Sequence, residues 1–397
     1  MHLTARNIPL YAFLLLAFLI GGPLQLIGAI SPTQTNYVCL LAAGTYLITH
    51  RVLKPKPSEL VLALLAIYVI CGVFYNGTNP QGAAVYIYYL ICPFIAIRLA
   101  KTADRNGFLG DEKAFHFALI GMLLIQAAAV LLQNLLADQL IAIATTGISR
   151  NDITSGTFFI KSDGSLAIFC TIAAVLITSA ETTISRKLIA ISLAAFCIYL
   201  SGSKAAQAYF PLAISATVAY HQSGRSRYKR PLRMLAALLG TILLVVTASK
   251  AGEVYSSFIS NLHDTYDYRY GDNQAQRFAP LGDMLFSDAI ILGKGALHYY
   301  NPISGEWLYY SGFSLIYSLY YDFGIVGLCL ASAYVAWSLK ELAGNWIVAA
   351  YAFAGFTVFS ITSFSFSDMA FFFALAFACL HYRRRSQSNE YSKRYAA

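Results

Sequence analysis

Twelve apolar stretches separated by short polar breaks dominate the chain, and no other feature restricts its fold as strongly. A hydrocarbon core about 30 Å thick is crossed by roughly 20 helical residues, and inside it every backbone N–H and C=O must be satisfied by the protein itself. The stretches are therefore read as transmembrane helices. The first six run from about Leu10 to Ala29, Tyr37 to Ile48, Leu60 to Tyr75, Ala83 to Leu99, Ala114 to Leu136 and Ser165 to Thr178. The last six run from about Leu188 to Leu200, Ala205 to His221, Leu235 to Thr247, Gly312 to Trp337, Trp346 to Ile361 and Met369 to Tyr382. The second, sixth and seventh are short for a full crossing. Apolar residues form 58% of the 397-residue chain and charged ones 12%, with a mean hydropathy of +0.58, which excludes soluble, disordered and fibrous classes. The expected fold is an all-α polytopic membrane protein with about 12 transmembrane helices, a single membrane domain over residues 1–397.

A net charge of +9 raises the question of a nucleic-acid partner, but the charges are sorted by side. With the N-terminus inside, 21 of the 28 basic residues fall on the cytoplasmic side, including the loop Arg225 to Arg233 and the tail 383–397. Seven of the 19 acidic residues join them, giving +14 inside (21 minus 7) and −5 outside (7 minus 12). That asymmetry is the positive-inside pattern, so no nucleic-acid partner is expected and both termini are placed in the cytoplasm. The first apolar run, preceded by Arg6, is longer than the core of a signal peptide and reads as an uncleaved first helix. All seven cysteines lie in apolar runs without a C-x-x-C pair, which disfavours disulfides and thiolate metal sites.

Two loops on the outer side, 136–165 and 249–311, are long enough to carry chemistry. The larger holds His263-Asp264-Thr265-Tyr266-Asp267-Tyr268-Arg269. Tyrosine faces suit sugar C–H surfaces and carboxylates accept hydroxyl hydrogen bonds, so Asp264, Tyr266, Asp267 and Arg269 are candidates for sugar binding, with an interfacial tyrosine belt as the alternative. Arg277 opens a helical pattern ended by Gly293 and Gly295; beside a helix N-terminus its planar fork suits a phosphate or pyrophosphate, unless it only pairs with Asp283 or Asp272. Lys204 follows the small-residue turn Ser201-Gly202-Ser203 at a helix start, where a cation opposes the macrodipole unless an anion shares the site. Asp322 lies inside an apolar run and is expected either to function or to be hydrogen-bonded by its neighbours. Gly324 and Gly327 are assigned to helix packing.

In their order, the Ser201–Lys204 turn, the basic loop, Arg277, Gly293-Lys294-Gly295 and Gly324-Ile325-Val326-Gly327-Leu328 resemble the bacterial O-antigen polymerase and ligase superfamily over residues 188 to 340. The resemblance implies a glycosyltransferase C-like bundle with a large periplasmic loop at 249–311, in the bacterial inner membrane. It further implies undecaprenyl-pyrophosphate-linked glycans as donor and acceptor, with a chain-length regulator and a flippase as partners beside membrane lipids. Where the family has arginine in the turn this chain has Lys204, and where ligases have a His-Asn pair it has Tyr310-Ser311-Gly312; the second departure favours a polymerase.

Polymerisation through a lipid pyrophosphate needs cations for the leaving group and a base for the acceptor hydroxyl, with no metal, nucleotide or other cofactor. Arg277 and Lys204, with Arg150 third, are the expected pyrophosphate ligands. His298, which titrates near neutrality, and Glu306, nearest the family's histidine position, are the candidate catalytic bases, each with a loop-anchor alternative. Asp283 is expected to orient Arg277. A ligase acting on lipid A core or protein, a lipid-linked sugar transporter and a structural subunit are the competing readings.

Overall fold

The computed structural model describes residues 5–50, 55–78, 80–108, 112–144, 153–158, 163–180, 182–221, 291–301, 306–307 and 314–395. Among these the chain is helical apart from one pair of two-residue strands. The helices are α1 (Ile8–Leu26, with a π-helical turn at Leu16–Ile20), α2 (Pro32–Thr49), α3 (Pro57–Asn76), α4 (Pro80–Arg105), α5 (Glu112–Leu135) and the short α6 (Ala137–Ile143). There follow α7 (Asp163–Ser179), α8 (Ile184–Leu200), α9 (Lys204–His221), α10 (Leu315–Ala343), α11 (Trp346–Thr362) and α12 (Met369–Tyr395). Eleven of the twelve apolar runs coincide with helices, and the run Leu235 to Thr247 lies outside the described residues. Among the described residues, five helices are long and apolar enough to cross a membrane: α1, α3, α4, the Lys113–Leu135 part of α5, and α10.

Helix α3 shows why the bundle needs lipid around it. Leu65, Val69 and Val73 are buried against the core, while Leu60, Leu64, Ile67 and Phe74 form a second stripe on the outside, Phe74 being 82% exposed. A helix apolar on both faces is stable where one side meets protein and the other meets acyl chains. The first helix is likewise integral to the bundle, since Phe13 and Phe18 are buried on Phe373 and Phe18 also meets Phe158 and Phe169.

Three features depart from the sequence reading. Residues 153–158, expected in an outer loop, are buried in the bundle between α1 and α5. Their backbone is satisfied by side-chain amides: Gln126 Oε1 accepts from Thr157 N at 2.9 Å, and Gln133 accepts from Gly156 N and donates to Gly156 O. The π turn of α1 frees the Phe18 carbonyl to accept from the Thr157 hydroxyl. Secondly, the last helix does not end with its apolar run: α12 continues through the polar residues from 383 to Tyr395, with Arg384 paired to Asp104 on α4.

The third is a break in α10. Gly324 has φ 64° and ψ −166°, outside helical space, and residues 291–295 lie against the interruption. Lys294 N donates to Tyr321 O and Gly295 N to Asp322 O, both at 2.9 Å, and Val326 N turns to Ile291 O. The Tyr68 hydroxyl on α3 donates to Leu292 O and Phe323 O. Groups that the helix ladder gives up are thus taken over by the neighbouring backbone, as burial in a bilayer demands. Assigning Gly324 to ordinary helix packing is corrected accordingly: a Cβ there would collide with the Ile291 backbone, and only glycine adopts this conformation readily.

Gly324→Ala is therefore expected to destabilise the purified protein by about 1–3 kcal/mol, while Gly44→Ala, where an added Cβ meets nothing within 4 Å, leaves it unchanged or slightly more stable. Thermal unfolding in detergent compares the two, and equal midpoints would count against a break enforced by the docked segment.

Candidate functional site

The segment that seals the α10 break leads directly into a hairpin. Gly293, at φ 80°, lets the chain pass against the Asp322–Phe323 backbone, where a side chain would collide. Leu297 adopts the left-handed conformation at φ 62°, uncommon for a side-chain-bearing residue, and the amides that follow turn toward a single carboxylate. Asp322 is fully buried and accepts from Leu297 N at 3.0 Å, from Tyr299 N at 2.7 Å and from the Tyr86 hydroxyl of α4. A carboxylate with three donors in a buried site is a strong anchor, because charge-assisted bonds exceed neutral ones in strength. Of the two roles open to Asp322 in the sequence, the structure shows the hydrogen-bonded one.

Beyond the anchor, Tyr300 pairs with Trp307 and Asn301 with Glu306 in an antiparallel two-residue ladder, β1 (Tyr300–Asn301) and β2 (Glu306–Trp307). His298 therefore sits two residues before a strand whose partner carries Glu306, so both candidate bases belong to one hairpin. The His298 side chain is exposed. Partial burial, and secondarily the Lys294 ammonium, hold its imidazole below the usual histidine pKa of 6.5, which leaves it neutral at pH 7 with a lone pair available. Tyr299 faces the opposite way: it is buried, stacks on Tyr321 at 5.4 Å between centroids and meets Tyr317 at 6.3 Å. Burial pushes its phenol up, so it stays protonated and cannot act as a base.

The remaining candidate residues lie elsewhere in the chain. Lys204 is the first residue of α9, after a turn in which the Ser201 hydroxyl donates to Ile198 O and accepts from Ser203 N. Arg150, Asp264, Tyr266, Asp267, Arg269, Arg277 and Asp283 lie outside the described residues. The structure thus unites His298 and the Glu306 strand, and adds a buried cluster of Tyr299, Tyr317 and Tyr321 behind the hairpin that sequence reasoning missed. The signal was present in part: Tyr317, Tyr320 and Tyr321 are spaced i, i+3, i+4, one face of a helix. Among the described residues no group of three or more His, Cys, Asp or Glu side chains is placed to hold a metal ion.

Comparison with known proteins adds no family: no protein-family model and no curated protein matches the chain.

If Asp322 anchors the hairpin, trypsin should cleave after Lys294 slowly in the wild type, faster in Tyr86→Phe, and fastest in Asp322→Asn. The last leaves a buried N–H facing an amide NH2, a loss of about 1–3 kcal/mol. Identical cleavage in all three proteins would refute the anchor.

Proposed function

We propose that the protein is a polysaccharide polymerase of the bacterial inner membrane, transferring an undecaprenyl-pyrophosphate-linked glycan onto the terminal sugar of a second lipid-linked repeat unit. The observation that carries this reading is the anchored hairpin, which holds a neutral, exposed imidazole at His298 close in the chain to Glu306, at one end of a helical membrane bundle. A lipid-linked substrate needs a protein embedded in the bilayer, and a sugar hydroxyl needs a base with a lone pair at neutral pH.

In the reaction, the acceptor hydroxyl oxygen forms a bond to the donor's anomeric carbon while the bond from that carbon to the pyrophosphate oxygen breaks. His298 takes the hydroxyl proton, with Glu306 as the alternative base. Arg277 and Lys204, assisted by Arg150, balance the charge gathering on the pyrophosphate. Asp264, Tyr266, Asp267 and Arg269 bind sugar, and Asp283 orients Arg277. In this reading the chain crosses the membrane about 12 times with both termini cytoplasmic, residues 249–311 belong to the periplasmic side, and a chain-length regulator and flippase act beside it. The occupation of Asp322 by Tyr86 and two amides supports an enzyme over a transporter, whose cargo pathway would draw on the ionisable groups within its spans.

Two measurements test the reading. A deletion strain should display single repeat units on its surface; unlinked long chains would point to ligation instead. With purified protein and lipid-linked repeats, His298→Ala should lower turnover by about 10²–10⁴-fold. The acidic limb of the wild-type rate profile should lie below pH 6.5. Removing the ammonium by Lys294→Gln eases protonation of His298, raises its pKa and moves that limb to higher pH. A limb that stays in place would exclude His298 as the titrating base.

A further inference from the structure

A second polar site lies at the opposite end of the bundle. Helix α3 carries Ser58 at that end and Asn76, beside the glycine segment, at the other; 18 residues of helix separate them by about 27 Å. Between α3, α4 and α10 a cavity of about 430 Å³ is lined by four cations, Lys56, Arg98, Lys101 and Arg105, and by two carboxylates, Glu59 and Glu341.

Both carboxylates are already engaged. Glu59 pairs with the Arg98 guanidinium through Nε at 2.6 Å and through a second nitrogen, and it also accepts from Lys56 N. Glu341 accepts from Ser58 N and the Ser58 hydroxyl, each at 3.2 Å. Lys56, Lys101 and Arg105 form no ion pair among the described residues. The fields of Lys56, Arg105 and Arg98 all act on Lys101, with Glu341 alone opposing them. With Arg98 and Glu59 paired to each other, Lys56, Lys101 and Arg105 share this partly open space with the single charge of Glu341, and a further anion would offset the positive excess. The wall between them is partly apolar, through Phe94, Ile97 and Leu342, while the Tyr334 and Ser338 side chains add polar atoms.

We propose that this cavity binds a phosphate-bearing anion between Lys56, Lys101 and Arg105. The phosphate comes either from an anionic lipid headgroup, whose acyl chains would lie along the apolar outer stripe of the bundle, or from the aqueous phase as a free ion. The site is separate from the His298 hairpin and does not depend on the polymerase reading.

The full-length protein in phosphatidylcholine nanodiscs, with and without phosphatidylglycerol, gives one arm of the test, with bound lipid counted by native mass spectrometry. Titration of the detergent-solubilised protein with inorganic phosphate gives the other. Retention of phosphatidylglycerol over phosphatidylcholine without phosphate binding identifies a headgroup, and saturable phosphate binding identifies a free anion; either supports the site. Lys101→Gln/Arg105→Gln should weaken that binding by about 10-fold or more, and Lys101→Arg/Arg105→Lys should restore it. Lys56→Gln, which leaves α4 untouched, should also weaken it, whereas Lys340→Gln, a cation held over the Trp346 ring outside the cavity, should not. No lipid preference together with no phosphate binding by the wild type would overturn the proposal, as would unchanged binding in folded Lys56→Gln and in the folded double variant.

Discussion

A backbone interrupted inside an apolar environment has to be hydrogen-bonded by something other than water, and the Gly324 break in α10 meets that requirement by drawing in residues 291–295. The exchange is reciprocal. Carbonyls of Tyr321 and Asp322 receive N–H groups from Lys294 and Gly295, and Ile291 O receives Val326 N. Once the segment is fixed there, the Asp322 carboxylate gathers the next amides, and the hairpin with His298 and Glu306 follows from its position. Gly293 and Gly324 are both needed because two backbones approach without room for a Cβ on either.

The same requirement is met elsewhere by other means. Residues 153–158 enter the bundle without forming a helix, and the amides of Gln126 and Gln133 replace the ladder for Gly156 and Thr157. At the far end, Arg98 and Glu59 are drawn into helices and pair with each other. Burial of these two charges is tolerable because each satisfies the other; removing one would leave an uncompensated charge, which is far costlier than the pair itself contributes. The bundle thus carries two polar constructions at its two ends: a neutral imidazole on an anchored hairpin, and a cavity ringed by lysine and arginine.

The helices were legible because burial in lipid leaves long apolar runs, and each run from Leu10 to His221 and from Gly312 onward coincides with a helix. Asp322 was legible as a residue with partners, since a lone carboxylate in an apolar run is too costly to stand unpaired. The break beside it was not: the apolar pattern continues past Gly324, and a glycine inside a helical run reads equally as close packing. Thr154-Ser155-Gly156-Thr157 reads as a solvated loop because nothing in its composition shows that Gln126 and Gln133, on a separate helix, complement its backbone. The helical continuation to Tyr395 was hidden by its charges, since nothing in Arg383-Arg384-Arg385 shows that Asp104 lies within reach of Arg384. Of the candidate site, the residue types were visible and their convergence was not, since the pairing of Asn301 with Glu306 depends on where Asp322 holds the segment before it.

Hydrogen–deuterium exchange at the amides of Leu297 and Tyr299 tests the anchor most directly. Both N–H groups donate to a carboxylate that is fully buried, so they should exchange orders of magnitude more slowly than unstructured amides in the wild-type protein and lose that protection in Asp322→Asn, while amides in the middle of α5 keep theirs. Fast exchange at both positions in the wild type, or protection that survives the substitution, would contradict an account in which Asp322 positions the hairpin.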